Sequence, residues 1–286
     1  MSLTSASRVA VTGSTGALGG LVARDLAATG VPQRLLVRDT GAAPELPDTV
    51  VSRFSYSDAR ASAAALEGAE TLFMVSASES ADRLDQHRTF VDAAASAGVR
   101  HVVYTSFVGA APDAVFTLGR DHYWTEQHIK EAGLSYTFLR NSFYIDFMDT
   151  LVGEDLTIRG PAGDGKVSVV AREDIARVAA AVLRDPGAHR DATYYMTGPE
   201  ALSMTEVARA LTLARGQTVT FHDETIPEAY ESRRRWGAPD WQNDAWVSTY
   251  TAIASGDLAA VSDDVETITG RRPLTLAEFL LARPHA

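Results

Sequence analysis

The 286-residue chain contains no cysteine. Disulfides, thiolate catalysis and cysteine-metal sites are therefore excluded, and a reducing compartment, the cytoplasm, is expected. No apolar run approaches the roughly 18 residues of a membrane span, so no membrane partner is expected. The first ten residues, MSLTSASRVA, hold no apolar h-region, and no secretory signal is expected. Cations are in deficit, with 26 Lys plus Arg against 37 Asp plus Glu and a net charge of -11. That balance repels a polyanion, so nucleic acid is not an expected partner. Internal repeats and low-complexity tracts are absent as well. What remains is 45% hydrophobic and 22% charged residues, an ordinary globular composition able to bury a sizeable core.

Up to about residue 140, strand patterns alternate with helix patterns. Short, nearly continuous apolar runs predict strands at 8–12, 33–37, 50–55, 70–75, 100–105 and 134–140, as expected of strands covered on both faces. Helices are predicted at 16–29, 58–67, 82–97 and 119–132. Short strand–helix alternation implies βαβ units and a parallel sheet. After about residue 150 the pattern loosens. GPAGDGK at 160–166 is a turn cluster, a short strand and a helix share 167–183, and a strand is expected at 193–197. Ser203 with Glu206, and Thr275 with Glu278, have capping-box spacing. The expected division is residues 1–150 as a cofactor-binding domain, with later segments returning to it, and 151–286 as a smaller substrate-binding lobe.

The sharpest local signal is RVAVTGSTGALGGLVARDL. Gly13, Gly16 and Gly19 stand at GxxGxxG spacing, directly after a strand and directly before a helix. In that context Gly13 allows the sharp turn, Gly16 lets main-chain N–H groups approach a pyrophosphate, and Gly19 lets the helix pack close on the sheet. The helix N-terminus then holds the phosphate charge. The fold class expected is α/β, a Rossmann-type doubly wound parallel sheet with a smaller mixed α/β C-terminal lobe. The second strand ends in Val37 and is followed by Arg38, where a cofactor lacking the 2′-phosphate usually meets an acid. A guanidinium there can grip a 2′-phosphate through paired hydrogen bonds. NADP(H) is therefore expected in preference to NAD(H), although Asp39 next door leaves room for the unphosphorylated cofactor.

TGSTGALGG, the VR ending of the second strand, VSASES, YTSFVGA and YTFLRNSFY together resemble the NmrA-like group of atypical short-chain dehydrogenase/reductases. Within it, the chain is most similar to type 2 NAD(P)H:quinone oxidoreductases and triphenylmethane reductases. DQHRTFVDAA, GRDHYWTEQHIKEAGLSYTFLRN, PAGDGKVSVVAREDIA, YYMTGPE and GAPDW extend the likeness over nearly the whole chain. The resemblance implies that Gly13, Ser14, Thr15, Gly16, Ala17 and Leu18 form the pyrophosphate loop and that Arg38 holds the adenosine phosphate. It implies that Ser76, Ala77 and Ser78 line the ribose and pyrophosphate path, and that Tyr104 and Ser106 end the fifth strand beside the nicotinamide. Asn141, Ser142, Phe143 and Tyr144 are implied near the carboxamide end and the substrate mouth. The chain departs from the family pattern after the third strand, where Ser55 replaces an acid and Asp58 is left as a helix cap. It also departs at Gln127, where type 2 quinone reductases tend to have Lys. The likeness further leaves room for a homodimer or a regulatory protein partner beside a small-molecule substrate.

Ordinary short-chain dehydrogenases pair Tyr-xxx-Lys with a Ser, the Lys lowering the phenol pKa so that Tyr can move a proton. Tyr123 with Gln127 keeps the phenol and loses the cation, while Gln127 can still orient a ribose hydroxyl. Ser106 stands where the family's serine belongs. Alcohol–ketone interconversion is thus disfavoured, and an acceptor needing little acid help, such as a quinone, is favoured. Two readings stand for His122: protonation of a quinone oxygen, or a surface His bonded to Asp121 or Glu126. Tyr123 is either a donor in the pocket or a packed aromatic. Trp236, Trp241 and Trp246 either wall an aromatic substrate or belong to a core. Arg233–Arg235 read as a solvated helix face. No HExxH or comparable ligand spacing occurs, so no metal is expected, and the GxSxG elbow is missing. The leading expectation is an NADPH-dependent reductase of a quinone-like or other conjugated acceptor. The alternative is a non-catalytic NADP(H)-binding redox sensor, and epimerase action on a nucleotide sugar is disfavoured by the broken Tyr-xxx-Lys pair.

Overall fold

The computed structural model describes residues 8–282; the first seven residues, which contribute to the expectation about a secretory signal, lie outside them. Strands form where the apolar runs predict them: β1 (Val9–Thr12), β2 (Gln33–Val37), β3 (Thr49–Arg53), β4 (Thr71–Met74), β5 (His101–Phe107) and β6 (Ser135–Asn141). Between them run α1 (Ala17–Ala28), α2 (Ala59–Leu66), α3 (Arg83–Ser96) and α4 (Thr117–Glu131). Two short strands follow, β7 (Thr157–Gly160) and β8 (Lys166–Val167), then β9 (Ala192–Met196). The short α5 (Ile145–Met148) and the longer α6 (Arg172–Arg184) occupy the same stretch. Seven strands make one sheet in the order β3-β2-β1-β4-β5-β6-β9. Pairing is parallel from β3 through β5, with Thr12 level with Leu36 and Met74 level with Tyr104. The strand order reverses its direction of growth between β1 and β4, which makes that junction the switch point of a doubly wound sheet.

The chain clusters into two compact units. One comprises the chain up to Ser106, Asp121–Arg140 and Arg172–Tyr194; the other comprises Phe107–Arg120, Asn141–Ala171 and the chain from Tyr195 on. The chain passes between the units five times, and Arg172–Tyr194, beyond residue 150, lies in the first unit. The physical reason is that α6 packs against α1 and belongs to the layer covering the nucleotide-type sheet.

In the first unit, Ala10, Leu36, Leu72, Met74, Val102 and Phe138 from the sheet meet Leu66, Phe90, Val91 and Ile129 from the helices. Asp58 caps α2, accepting from the Ala61 N–H at 2.9 Å, as its position predicts. Among the described residues no helix is long and apolar enough to cross a membrane.

The second unit has its own core, with Ile158, Val167, Val169, Met204, Leu211 and Ile253 at its centre. Its chain continues through β10 (Leu202–Ser203), α7 (Met204–Arg215), β11 (Thr220–Asp223), α8 (Ile226–Arg233), α9 (Asp240–Ala254), α10 (Asp264–Thr269) and α11 (Leu276–Leu281). Both expected capping boxes form, and a third, Thr225 with Glu228, opens α8 ahead of Pro227. Arg233 departs from the solvated face expected of it. It is buried in an ion pair with Glu224 at 2.9 Å, donates to the Arg159 carbonyl, and lies over the Tyr250 ring. Leaving that cation unpaired in a dry core costs more than turning one side chain inward, so the pairing follows.

The same Tyr250 ring explains Gly160 at the end of β7. A Cβ on Gly160 would lie 2.3 Å from the ring. Gly160→Ala is expected to destabilise the protein by about 1–3 kcal/mol, the cost of overpacking, in a urea unfolding series. Tyr250→Leu in the same background should recover part of that loss, and an unchanged midpoint in Gly160→Ala would contradict the close contact.

Candidate functional site

At the end of β1, Gly13 adopts φ +67, a conformation open to glycine at little cost. The Gly16 N–H donates to the Gly13 carbonyl at 2.9 Å and closes the turn. Gly16 is the N-cap of α1, no side chain caps the helix, and its first turn carries no acid. Thr15, Gly16 and Ala17 are exposed, so the first N–H groups of α1 and the positive end of its dipole face open space. Beneath them, a Cβ on Gly19 would sit 2.3 Å from the Gly13 oxygen. Helix and turn therefore approach to a distance no other residue permits. Ser14 is buried, and its hydroxyl has no hydrogen-bond partner among the described residues. Free donors, positive potential and an uncovered glycine fit a pyrophosphate.

The parallel register brings other expected residues into the same row of strand ends. Arg38 follows β2, Ser76–Ser78 follow β4, and Ser106 lies near the end of β5, so the neighbours of β1 on both sides contribute. Arg38 is exposed and has no ion-pair partner among the described residues. Asp39 accepts from the Gly41 N–H at 2.9 Å and caps its own short turn.

A set of polar side chains that the sequence reading did not single out encloses the exit of β4. The Val75 N–H donates to Thr12 Oγ1 at 2.8 Å, and the Ser76 N–H donates to Thr105 Oγ1 at 2.8 Å. The Ala77 N–H donates to His87 Nε2 at 2.9 Å. The Tyr56 hydroxyl donates to the Val75 carbonyl, and Arg83 Nε donates to the Ala77 carbonyl at 3.0 Å. The available signals were Thr12 and Thr105 at strand ends and Arg83 with His87 one turn apart on a helix.

Helix α4 carries two distinct stripes. His122, Thr125, Glu126 and Ile129 are buried, at the spacing of one helical face. Tyr123 and Gln127 are half-buried on another stripe, and Tyr123 meets Trp124 edge-on at 5.1 Å. His122 accepts from Arg83 at 3.1 Å through Nε2, which leaves Nδ1–H to donate to the Tyr104 hydroxyl at 2.9 Å. Burial, aided by the Arg83 charge, holds its pKa well below the usual value. His122 thus fits neither of its two expected readings, a proton donor to a quinone oxygen or a surface His bonded to Asp121 or Glu126: it is a neutral core group with both nitrogens engaged. Tyr104 is corrected likewise. Its side chain is fully buried between His87, His122 and Phe138, on the face of β5 that meets α4, instead of facing a cofactor, because successive residues of a strand point to opposite faces. Ser106 donates to Glu126 Oε1 at 2.5 Å, and Arg140 pairs with Glu126 in bidentate fashion at 2.6 and 2.9 Å. Glu126 is 1% exposed, so this ion pair is desolvated on the carboxylate side.

The second unit holds the remaining expected residues. Asn141 donates to the Tyr144 hydroxyl at 3.3 Å, while Asn141 Oδ1 and Ser142 Oγ are buried without a hydrogen-bond partner among the described residues. Phe143 joins Phe107 and Phe116 in an aromatic cluster with ring separations of 4.8–5.4 Å. Trp236 is 55% exposed and meets Trp246 edge-on at 5.4 Å, with Arg235 over its ring.

A glycine turn at the end of β1, an uncapped α1 and a sheet that reverses growth beside it define a Rossmann-type α/β protein. Its membership is narrower than that. Residues 5–233 match the model of the NmrA-like family, and the chain belongs to that family. It is 36% identical to an NAD(P)H azoreductase of Xenophilus azovorans, over 97% of this chain and 98% of that protein. The crystal structure of an NADPH-dependent quinone oxidoreductase from Escherichia coli, complexed with NADPH, superposes with a TM-score of 0.87 at 31% identity, covering 96% of this chain and 99% of that one. A Citrobacter triphenylmethane reductase complexed with NADP(H) gives 0.84 at 30% identity, covering 96% and 99%.

The buried imidazoles give the site a pH signature. Burial first, and Arg83 second, depress both His87 and His122 below the usual 6.5. Below that pH the unfolded chain binds protons on both rings and the folded protein does not, so their stabilising contribution is complete above 6.5 and declines as pH falls towards the depressed values. His122→Gln should therefore show a shallower fall in Tm than the parent between about pH 6.5 and about pH 5. Parallel Tm–pH curves would refute the assignment.

Proposed function

We propose that this chain, an NAD(P)H-dependent oxidoreductase of the NmrA-like family, binds NADPH in preference to NADH and reduces a quinone or similar flat conjugated acceptor. The observation that carries the reading is the open glycine cradle at the uncapped start of α1. Its free N–H groups suit the pyrophosphate, and Ser76–Ser78 suit the ribose path beside it. Arg38 suits the 2′-phosphate, and the engagement of Asp39 with Gly41 favours that choice by withdrawing the carboxylate from a ribose hydroxyl. Bound there, the nicotinamide supplies a hydride.

The acceptor class follows from what the side chains lack. Tyr123 has Gln127, not Lys, one turn on, so the cation of the Tyr-xxx-Lys pair is missing at that position. Its role in the proposal is to donate a hydrogen bond that orients the acceptor. Ser106 has its proton on Glu126 and so offers lone pairs to a donor, which suits contact with an amide or hydroxyl better than protonation of an oxyanion. His122 is given no proton-transfer role. A flat conjugated acceptor needs orientation and proximity from the protein, with the proton drawn from solvent. The proposal keeps Asn141 and Ser142 as cofactor contacts, supported by their unpartnered buried atoms, and Phe143, Tyr144 and Trp236 as acceptor contacts. The names of the relatives, reductases of azo compounds, quinones and triphenylmethane dyes, support the same acceptor class.

The test is acceptor-dependent loss of NADPH absorbance over a panel of small quinones and azo dyes. Turnover is expected with at least one of them. Nucleotide binding with no turnover on any acceptor would favour the regulatory alternative. In the same assay Arg38→Glu should weaken NADPH by about 10-fold or more, the loss of a charge-assisted contact, and leave NADH within a few-fold. An unchanged cofactor preference would remove Arg38 from the scheme. Gly19→Ala, which drives a methyl into the Gly13 main chain, should weaken both nucleotides alike.

A further inference from the structure

A backbone leaving a parallel sheet loses its ladder partners, and its polar groups ordinarily turn to water. The exit of β4 does otherwise. Three successive N–H groups, those of Val75, Ser76 and Ala77, all donate to side chains. Both main-chain polar groups of Ala77 are taken by one helix face, because Arg83 and His87 stand one turn apart on α3. Each of these two side chains is in turn fixed from behind. His87 accepts through Nε2, so its Nδ1–H donates to Thr125 Oγ1 at 2.8 Å, and Thr125 donates to the Asp121 carbonyl at 2.7 Å. Arg83 is held by His122, which is held by Tyr104. All of these side chains are buried with polar atoms engaged inside the protein, so they are taken up by the main chain and by one another. The arrangement is buried and adjacent to the glycine turn, since β4 is the sheet neighbour of β1.

We infer that His87, Arg83 and Thr105 are positioning residues for the cofactor. They set the main-chain path of Ser76–Ser78, along which the dinucleotide lies, and so determine its affinity without touching it. The inference rests on the cofactor reading proposed above. A buried imidazole serves here where a charged or flexible group would not: its neutral form presents one acceptor to Ala77 and one donor to Thr125, in a single tautomer.

The experiment compares His87→Leu, His87→Gln and Thr105→Val in the full chain, with NADPH affinity by titration calorimetry, Tm without nucleotide, and kcat at saturating NADPH. Leu removes the acceptor for the Ala77 N–H, and Gln retains one. An unpaired buried donor corresponds to about a 10-fold or greater loss of affinity, expected in His87→Leu and in Thr105→Val. His87→Gln should recover most of the loss, and kcat at saturation should stay within about twofold of the parent, since none of the three touches the reacting atoms. Parental affinity in folded His87→Leu and Thr105→Val overturns the inference. So does an affinity loss that tracks Tm and is not recovered by Gln, which is the behaviour of a merely structural residue. Should His87→Leu fail to fold, Thr105→Val decides alone. Failure of the parent protein to bind NADPH would instead strike the cofactor reading itself, and is read from the parent titration before any variant is compared.

Discussion

The closeness of one helix to one turn governs the site. With no Cβ at Gly19, the main chain of α1 settles against the carbonyl of Gly13, and the helix begins almost on top of the strand it follows. That placement leaves the first N–H groups uncapped and exposed at the point where the sheet changes direction. Such a geometry suits an anion, and two relatives of the chain are named for NAD(P)H or NADPH chemistry. A methyl group at Gly19 would separate helix from strand and remove the cradle, whatever the rest of the site retained.

Behind the cradle the interior is more polar than the composition suggests. Arg83 is buried near two imidazoles that stay neutral, and its nearest carboxylate, Asp121, is 3.8 Å away. Burial raises the Asp121 carboxyl above its ordinary value against the opposing pull of Arg83. Arg83 is therefore held chiefly by hydrogen bonds to a carbonyl and a neutral ring, and only weakly by an opposite charge. Glu126 and Arg140 solve the same problem by direct pairing, with Ser106 as the third member. Buried polar groups of this kind define one arrangement sharply, because each alternative leaves a desolvated atom unpaired.

Much of this architecture is legible in the amino-acid sequence. The six strand runs and four helix runs up to about residue 140 are recovered to within two residues at every boundary, since buried parallel strands are written as continuous apolar runs. The glycine turn is legible because spacing and context coincide, and the capping boxes at Ser203 and Thr275 because their two partners are three residues apart. What escapes notice depends on register. Thr12, Thr105, Tyr56 and His87 look like ordinary polar residues until the sheet order places them around one segment. His122 and Tyr104 depend on register too: each stands one position from residues on a different face, and a single step along a helix or strand decides between interior and surface. Arg233 escaped because its partner, Glu224, lies in the preceding strand-to-helix connection, beyond any helical spacing.

The interleaving of the two units has an evolutionary side. Because the polypeptide changes unit five times, no single cut or crossover can exchange one unit for that of a relative and leave the other whole. Recombination, which readily shuffles contiguous modules, has little purchase on such a chain. Diversification of what these proteins act upon must then proceed by local replacement of side chains and loops, so that relatives with different acceptors remain alignable from end to end.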